Sequence, residues 1–169
     1  MLPNFDKDFI DFLFAQCYAE RNSGYEQRVI DTATCEMQKG ALIMSEQKFY
    51  ICKHCGNLVG LIEAGGGTLI CCGEPMAELK PNTVDASQEK HVPVVTVEGD
   101  TVKVTVGAAV HPMTEEHFIQ WIYLQTAHGG QRRGLKPGEA PEAEFSLNGD
   151  AAVAVYAYCN LHGLWKKEL

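Results

Sequence analysis

The chain has 169 residues, 46% of them hydrophobic and 9% aromatic, which is enough for one domain or two small ones with a buried core and excludes general disorder. Its 14 basic and 22 acidic side chains leave a formal net charge of −8, so no nucleic-acid partner is expected. The most apolar early stretch, residues 9–19, is interrupted by Asp11 and preceded by acids rather than a basic region, which predicts no membrane segment, no export signal and a cytoplasmic protein.

Residues 1–43 carry two isolated cysteines, Cys17 and Cys35, and no hairpin pattern. Within them, residues 5–21 predict one amphipathic helix with Phe5, Phe9, Phe12 and Leu13 on a face, an element with no core of its own. Residues 44–80 are glycine-punctuated and cysteine-dense. Gly65, Gly66 and Gly67 mark a turn there between two strand-like stretches, 58–63 and 68–71, which predicts a hairpin. So short a segment cannot bury enough apolar surface to fold unaided, and metal binding would supply the missing free energy.

From residue 81 the pattern becomes strand-like, and the domain boundary is expected at 80–82. Residues 93–97 and 101–106 flank Glu98-Gly99-Asp100, with Val102, Val104 and Val106 alternating with polar neighbours, the mark of a hairpin. Further strands are predicted at 118–126, 130–135, 142–147 and 152–158, each bounded by Gly, Pro or Asn. The expected fold is therefore mainly β, a small metal-bound domain followed by an antiparallel β-sandwich over 81–169.

Seven cysteines and six histidines are the informative excess, because most of them cluster. Cys52-x2-Cys55 and the adjacent Cys71-Cys72 are poor geometry for bridging within each pair, and thiolates around one ion fit better. Four sulfurs close a tetrahedral site suited to structural zinc or to a single iron, with widened angles expected at the adjacent pair. His54, inside the first loop, is redundant once four sulfurs are counted and is expected in solvent. His91 stands before the first sandwich strand, His111 and His117 share one loop, and Cys159 and His162 share another. Four imidazoles and a thiolate exceed the four-coordinate preference of zinc, whereas ferrous iron accepts them with a position open for reaction. His128 has no such companion and is expected to be exposed.

Residues 48–169 resemble desulfoferrodoxin, the two-iron form of superoxide reductase. The resemblance is carried by Tyr50-Ile-Cys-Lys-His-Cys-Gly-Asn, Cys71-Cys-Gly-Glu-Pro-Met, Glu89-Lys-His-Val-Pro, His111-Pro-Met-Thr-Glu-Glu-His and Tyr158-Cys-Asn-Leu-His-Gly-Leu-Trp, in the family's order. It implies that Cys52, Cys55, Cys71 and Cys72 hold a rubredoxin-like iron in a desulforedoxin-type domain. It implies equally that His91, His111, His117 and His162 are equatorial ligands of a second iron, with Cys159 axial, on an immunoglobulin-like sandwich. Lys90 would draw in superoxide and Glu89 would close the sixth position of the oxidised iron. The implied reaction reduces superoxide to hydrogen peroxide, with rubredoxin or a similar carrier restoring the electron, in a homodimer.

Residues 1–43 match no part of this pattern. Lys39-Gly40-Ala41 can be encoded by a purine run resembling a ribosome-binding site just upstream of Met44, so a start at Met44 is expected, against a genuine helical extension. Two other readings differ in function: a rubredoxin-like electron carrier without superoxide turnover, which would not need the histidine cluster, and a binding module in which both sites hold structural zinc.

Overall fold

Alternation of apolar and polar residues in 93–106 becomes the hairpin it predicts. In the computed structural model, which describes residues 46–84 and 86–169, Pro93–Glu98 pairs antiparallel with Thr101–Val106 across a turn at Gly99-Asp100. Numbering strands along the chain, β1 is Lys48–Ile51, β2 Leu58–Leu61, β3 Ile70–Cys71, β4 Glu74–Pro75 and β5 Ala77–Glu78. A helical turn, α1, Gln88–His91, precedes β6 (Pro93–Glu98) and β7 (Thr101–Val106). Then follow β8 (Ile119–Thr126), β9 (Gly130–Gly134), β10 (Glu142–Ser146), β11 (Ala152–Cys159) and β12 (Gly163–Glu168). The expected helix at 5–21, Cys17, Cys35 and the alternative start at Met44 all lie outside the described residues.

Two sheets form the sandwich, one ordered β10-β7-β6 and the other β12-β11-β8-β9. Val102, Val104 and Val106 from β7 meet Ile122 and Leu124 from β8 and Val155 and Ala157 from β11 in the layer between them. Removing such side chains from water is the main favourable contribution to the fold, about 1.5–3 kcal/mol for each large one. At the start of β8 the register against β11 shifts: Tyr158 faces Trp121, but Cys159 faces Ile119, so Gln120 is bulged out. The bulge turns Ile119 to the core side, beside Cys159, which the alternation of β11 already places there, and both are fully buried.

The outer face of the four-stranded sheet is aromatic, and the small N-terminal sheet, β2-β1-β5, covers it. Phe49 on β1 sits against Trp121 (5.0 Å between ring centroids), Tyr123 (5.4 Å) and Tyr156 (5.5 Å). Among residues 46–80 only Phe49 and Cys52 are buried, so this segment has no core of its own and relies on the sandwich and on whatever its cysteines hold. The expected hairpin between 58–63 and 68–71 does not form. β2 pairs with β1, whereas β3 pairs with β4 across Cys72-Gly73. Both turn residues have positive φ, 52° and 84°, which is the backbone of a two-residue type I′ turn and matches the strand twist.

After β5 the chain is fastened to the edge of β12 by Asn82. Its backbone N donates to the Leu164 carbonyl (3.0 Å), its Nδ2 donates to the Lys166 carbonyl (3.1 Å), and its Oδ1 accepts from the Lys166 N (2.9 Å). Among the described residues no helix is long and apolar enough to cross a membrane.

Candidate metal centres

Strand directions gather one set of donors at a single end of the sandwich. β6 and β12 start there, β7 and β11 finish there and β8 begins there, so the α1–β6 junction, the β7–β8 loop and the β11–β12 turn are neighbours. These three connections carry His91, then His111 and His117, then Cys159 and His162. The five donor atoms lie within 4.8 Å of one another.

The four imidazoles stand at the corners of a square. Successive ring centroids are 4.7 Å (His91–His111), 4.5 Å (His111–His117), 4.8 Å (His117–His162) and 4.6 Å (His162–His91) apart, with planes 75–80° to each other. The His91–His117 diagonal is 6.0 Å. His91 donates from Nδ1 to the Ser87 carbonyl at 2.7 Å and His111 from Nδ1 to the Pro112 carbonyl at 2.6 Å, which fixes each neutral ring with its Nε2 lone pair directed inward. His111 Nε2 and His117 Nε2 are buried and have no partner within the protein. Buried nitrogens without a partner are costly, and a shared cation satisfies them at once. His162 presents Nδ1, 2.9 Å from His91 Nε2 and 3.6 Å from Cys159 Sγ.

Burial disfavours the charged imidazolium, pushing His111 down to about 4 and lowering His91 and His117 as well. These three rings are thus neutral at neutral pH and free to bind a cation. Burial raises the Cys159 thiol, while the backbone N–H groups of His162 and Leu161 pull the other way. Cys159, His91 and His111 are buried and His117 and His162 only half-buried, so the cluster is closed on the thiol's side and approachable on another.

The helical turn α1 is set by backbone contacts. The Ala109 N donates to the Glu89 carbonyl at 3.0 Å and the Gly107 N to the Val92 carbonyl at 3.2 Å. Gly107 has φ +85°, and a Cβ there would lie 2.6 Å from the Lys90 carbonyl oxygen, so only glycine lets this turn dock. Glu89 and Lys90 are exposed on it, and the Lys90 charge disfavours protonation of His91 and His117. On the other side of His91 the Trp165 ring stacks at 4.8 Å and 22°.

The second cluster, Cys52, Cys55, Cys71 and Cys72, also has its donors within 4.8 Å of one another. Cys55 Sγ is 3.6 Å from Cys71 Sγ, and Cys71 Sγ is 4.0 Å from Cys72 Sγ. Tetrahedral thiolates around an ion at about 2.3 Å stand about 3.8 Å apart, so the spacing fits one ion. The wider separation belongs to the adjacent pair. The loop is closed by Gly56 N donating to the Cys52 carbonyl (2.9 Å) and Cys52 N to the Asn57 carbonyl (2.9 Å). Cys52 is pulled down to about 6, chiefly by the Cys55 backbone N–H, while Cys72 is pushed up to about 12, chiefly by its hydrogen bond with Cys55. One thiolate is stabilised and further negative charge beside it is resisted, the condition a cation relieves.

All nine residues expected from the spacing therefore fall into two clusters. His54 stays outside them, exposed and 3.1 Å from Glu74, and His128 is exposed and 2.9 Å from Asp150. Spacing alone does not reveal Gly107 and Trp165, which pack against the turn and ring of His91, or Asn160, whose side chain hydrogen-bonds Glu116 and Phe118 on either side of His117. The available signals were the glycine after a strand and the asparagine following the cysteine.

The family model for desulfoferrodoxin matches residues 83–168, and that for the desulfoferrodoxin N-terminal domain matches residues 45–79. A desulfoferrodoxin from Nitratidesulfovibrio vulgaris is 51% identical over 124 residues, covering 73% of this chain and 98% of its own. Another from Syntrophotalea carbinolica is 50% identical over 119 residues, covering 70% and 94%. The crystal structure of the superoxide reductase from Treponema pallidum superposes with a TM-score of 0.62 at 39% identity, covering 73% of this chain and all of that one. With both parts of the pattern matched in order and relatives covered almost end to end, the chain belongs to the desulfoferrodoxin family.

Proposed function

We propose that this protein is a superoxide reductase that converts superoxide to hydrogen peroxide at an iron held by His91, His111, His117, His162 and Cys159. The square of four imidazoles with a buried thiol beside it carries the reading, because it supplies five donors and leaves a sixth direction free. Ferrous iron bound there would supply one electron to superoxide, and the Cys159 thiolate would raise the electron density available for that transfer.

The chain's own groups prepare that exchange. Ser87 and Pro112 carbonyls hold two rings in the ligating tautomer before any ion arrives. Lys90, exposed beside His91, offers a local positive charge to an anionic substrate despite the net charge of −8. Glu89, its exposed neighbour in the same turn, is the carboxylate that would serve as a further ligand to an iron held there. The four cysteines hold a second iron, serving electron transfer, and residues 44–80 and 81–169 act as the two domains around these sites.

Rubredoxin or a similar small carrier is the proposed electron donor. Exposed Val59 on β2, Ile62 just after it and Ile70 on β3 support a homodimer. None of the five described cysteines is in a disulfide, which supports a reducing, cytoplasmic setting. Metal analysis with visible absorption, before and after mild oxidation, tests the reading. Two separable sets of iron–thiolate bands are expected, and a colourless protein carrying only zinc would contradict it and favour the binding-module alternative.

A further inference from the structure

Asn160 joins the two loops that supply His117 and Cys159. Its Nδ2 donates to the Glu116 carbonyl at 2.8 Å, its Oδ1 accepts from the Phe118 N at 2.9 Å, and its own N donates to the Phe118 carbonyl at 3.2 Å. The partners have opposite polarity, one a carbonyl and one an N–H, so the orientation of the amide is determined by chemistry. These bonds grip the residues on either side of His117. Asn160 is also peptide-bonded to Cys159, and its Oδ1 lies 3.9 Å from Cys159 Sγ.

The β7–β8 connection has no strand of its own to hold it. Its last part is a local turn: Thr114 N donates to the His117 carbonyl at 3.0 Å, and His117 N donates to Thr114 Oγ1 at 3.1 Å. That makes 114–117 a compact turn bonded within itself. Toward β8 it has Ile119 N on Met113 Sδ at 3.3 Å. Toward the thiol, among the described residues, no side chain other than Asn160 hydrogen-bonds residues 114–118 to the β11–β12 turn.

We infer that Asn160 is a positioning residue that couples the Cys159 thiol to the His117 imidazole, so that one side chain sets where both donors stand. The inference rests on the proposal that His117 and Cys159 ligate the catalytic iron. Asparagine is the side chain that fits. Aspartate keeps the acceptor for Phe118 but loses the donor to Glu116 and faces a carbonyl with a carboxylate, and serine is too short to span both.

The test compares the iron-loaded wild type with Asn160→Ala and Asn160→Asp. Three signals are read: the thiolate-to-iron absorption band of the oxidised site, iron loss to a chelator, and hydrogen exchange of the peptide spanning 114–119. Asn160→Ala should shift the band, release iron about 10- to 100-fold faster and raise exchange in 114–119, with the four-sulfur bands unchanged. Asn160→Asp, expected to fall between the two, carries the test alone if the alanine variant does not fold. Wild-type band and release rate in Asn160→Asp would overturn the inference. So would faster release with an unshifted band, because a loosened loop alone leaves the sulfur undisturbed. If Cys159→Ser retains the wild-type band, the ligand assignment beneath the inference has failed instead.

Discussion

His91 Nε2 stands 2.9 Å from His162 Nδ1, although 71 positions separate them in the chain. His91 has already given its Nδ1 proton to the Ser87 carbonyl, so its Nε2 is an acceptor. Without an ion, the His162 proton fills the gap. With one, both lone pairs point at the same cation and the His162 proton moves to Nε2.

Loading should release the proton that burial holds on the Cys159 thiol, and metal-free protein should lose stability on acidification. The histidine values are depressed by burial, His111 to about 4, so between about 6.5 and 4 the unfolded chain binds more protons than the folded one. Stability is then present above the ordinary histidine value and falls as pH drops through that window. Denaturant midpoints of metal-free protein at pH 7.5 and pH 5 check this, with a lower midpoint expected at the acid end and a flat profile contradicting it.

Lys90→Ala should slow the reaction with superoxide and flatten its dependence on ionic strength. One unit charge about 6 Å from the approaching anion in water is worth about 0.7 kcal/mol, or about threefold in rate. Rapid mixing across a salt series measures both, and unchanged rate and slope would remove the steering role.

Gly107→Ala should move the turn that carries Glu89, Lys90 and His91. The added Cβ meets the carbonyls of Lys90 and Ala109 at 2.6 and 2.5 Å, in a backbone with φ +85°. The expected cost is about 1–3 kcal/mol, with weaker iron retention at the histidine site. Thermal unfolding and iron analysis together test it, because destabilisation with full iron retention would show that the turn does not position His91.

Cys71→Ser should bleach the four-sulfur site and leave superoxide reduction largely intact, since the histidine cluster contains none of its ligands. Loss of the superoxide reaction in stoichiometrically loaded variant would make the first site an obligatory relay.

Much of this architecture is legible in the residues because side chains repeat with the sheet. Val102, Val104 and Val106 alternate cleanly, and β7 follows. β12 is harder to read: after Leu164 and Trp165 it runs through Lys166, Lys167 and Glu168, and it owes its place to pairing with β11. The same holds for β1, whose one buried residue, Phe49, acquires its role only when the aromatic face of β8 and β11 exists. The wrong pairing for β2 and β3 has a local cause. The glycine run at 65–67 reads as a hairpin turn, but the turn that forms uses Cys72 and Gly73. Donor residues show through because chemistry restricts their types, whereas Asn160 and Gly107 act through backbone partners distant in sequence.

The central claim is best tested by mixing reduced protein with superoxide and counting hydrogen peroxide and dioxygen together. A reductase yields one peroxide for each superoxide consumed and no dioxygen. Dioxygen released alongside half that peroxide would mean dismutation, and no consumption would mean an electron carrier; either result contradicts the account.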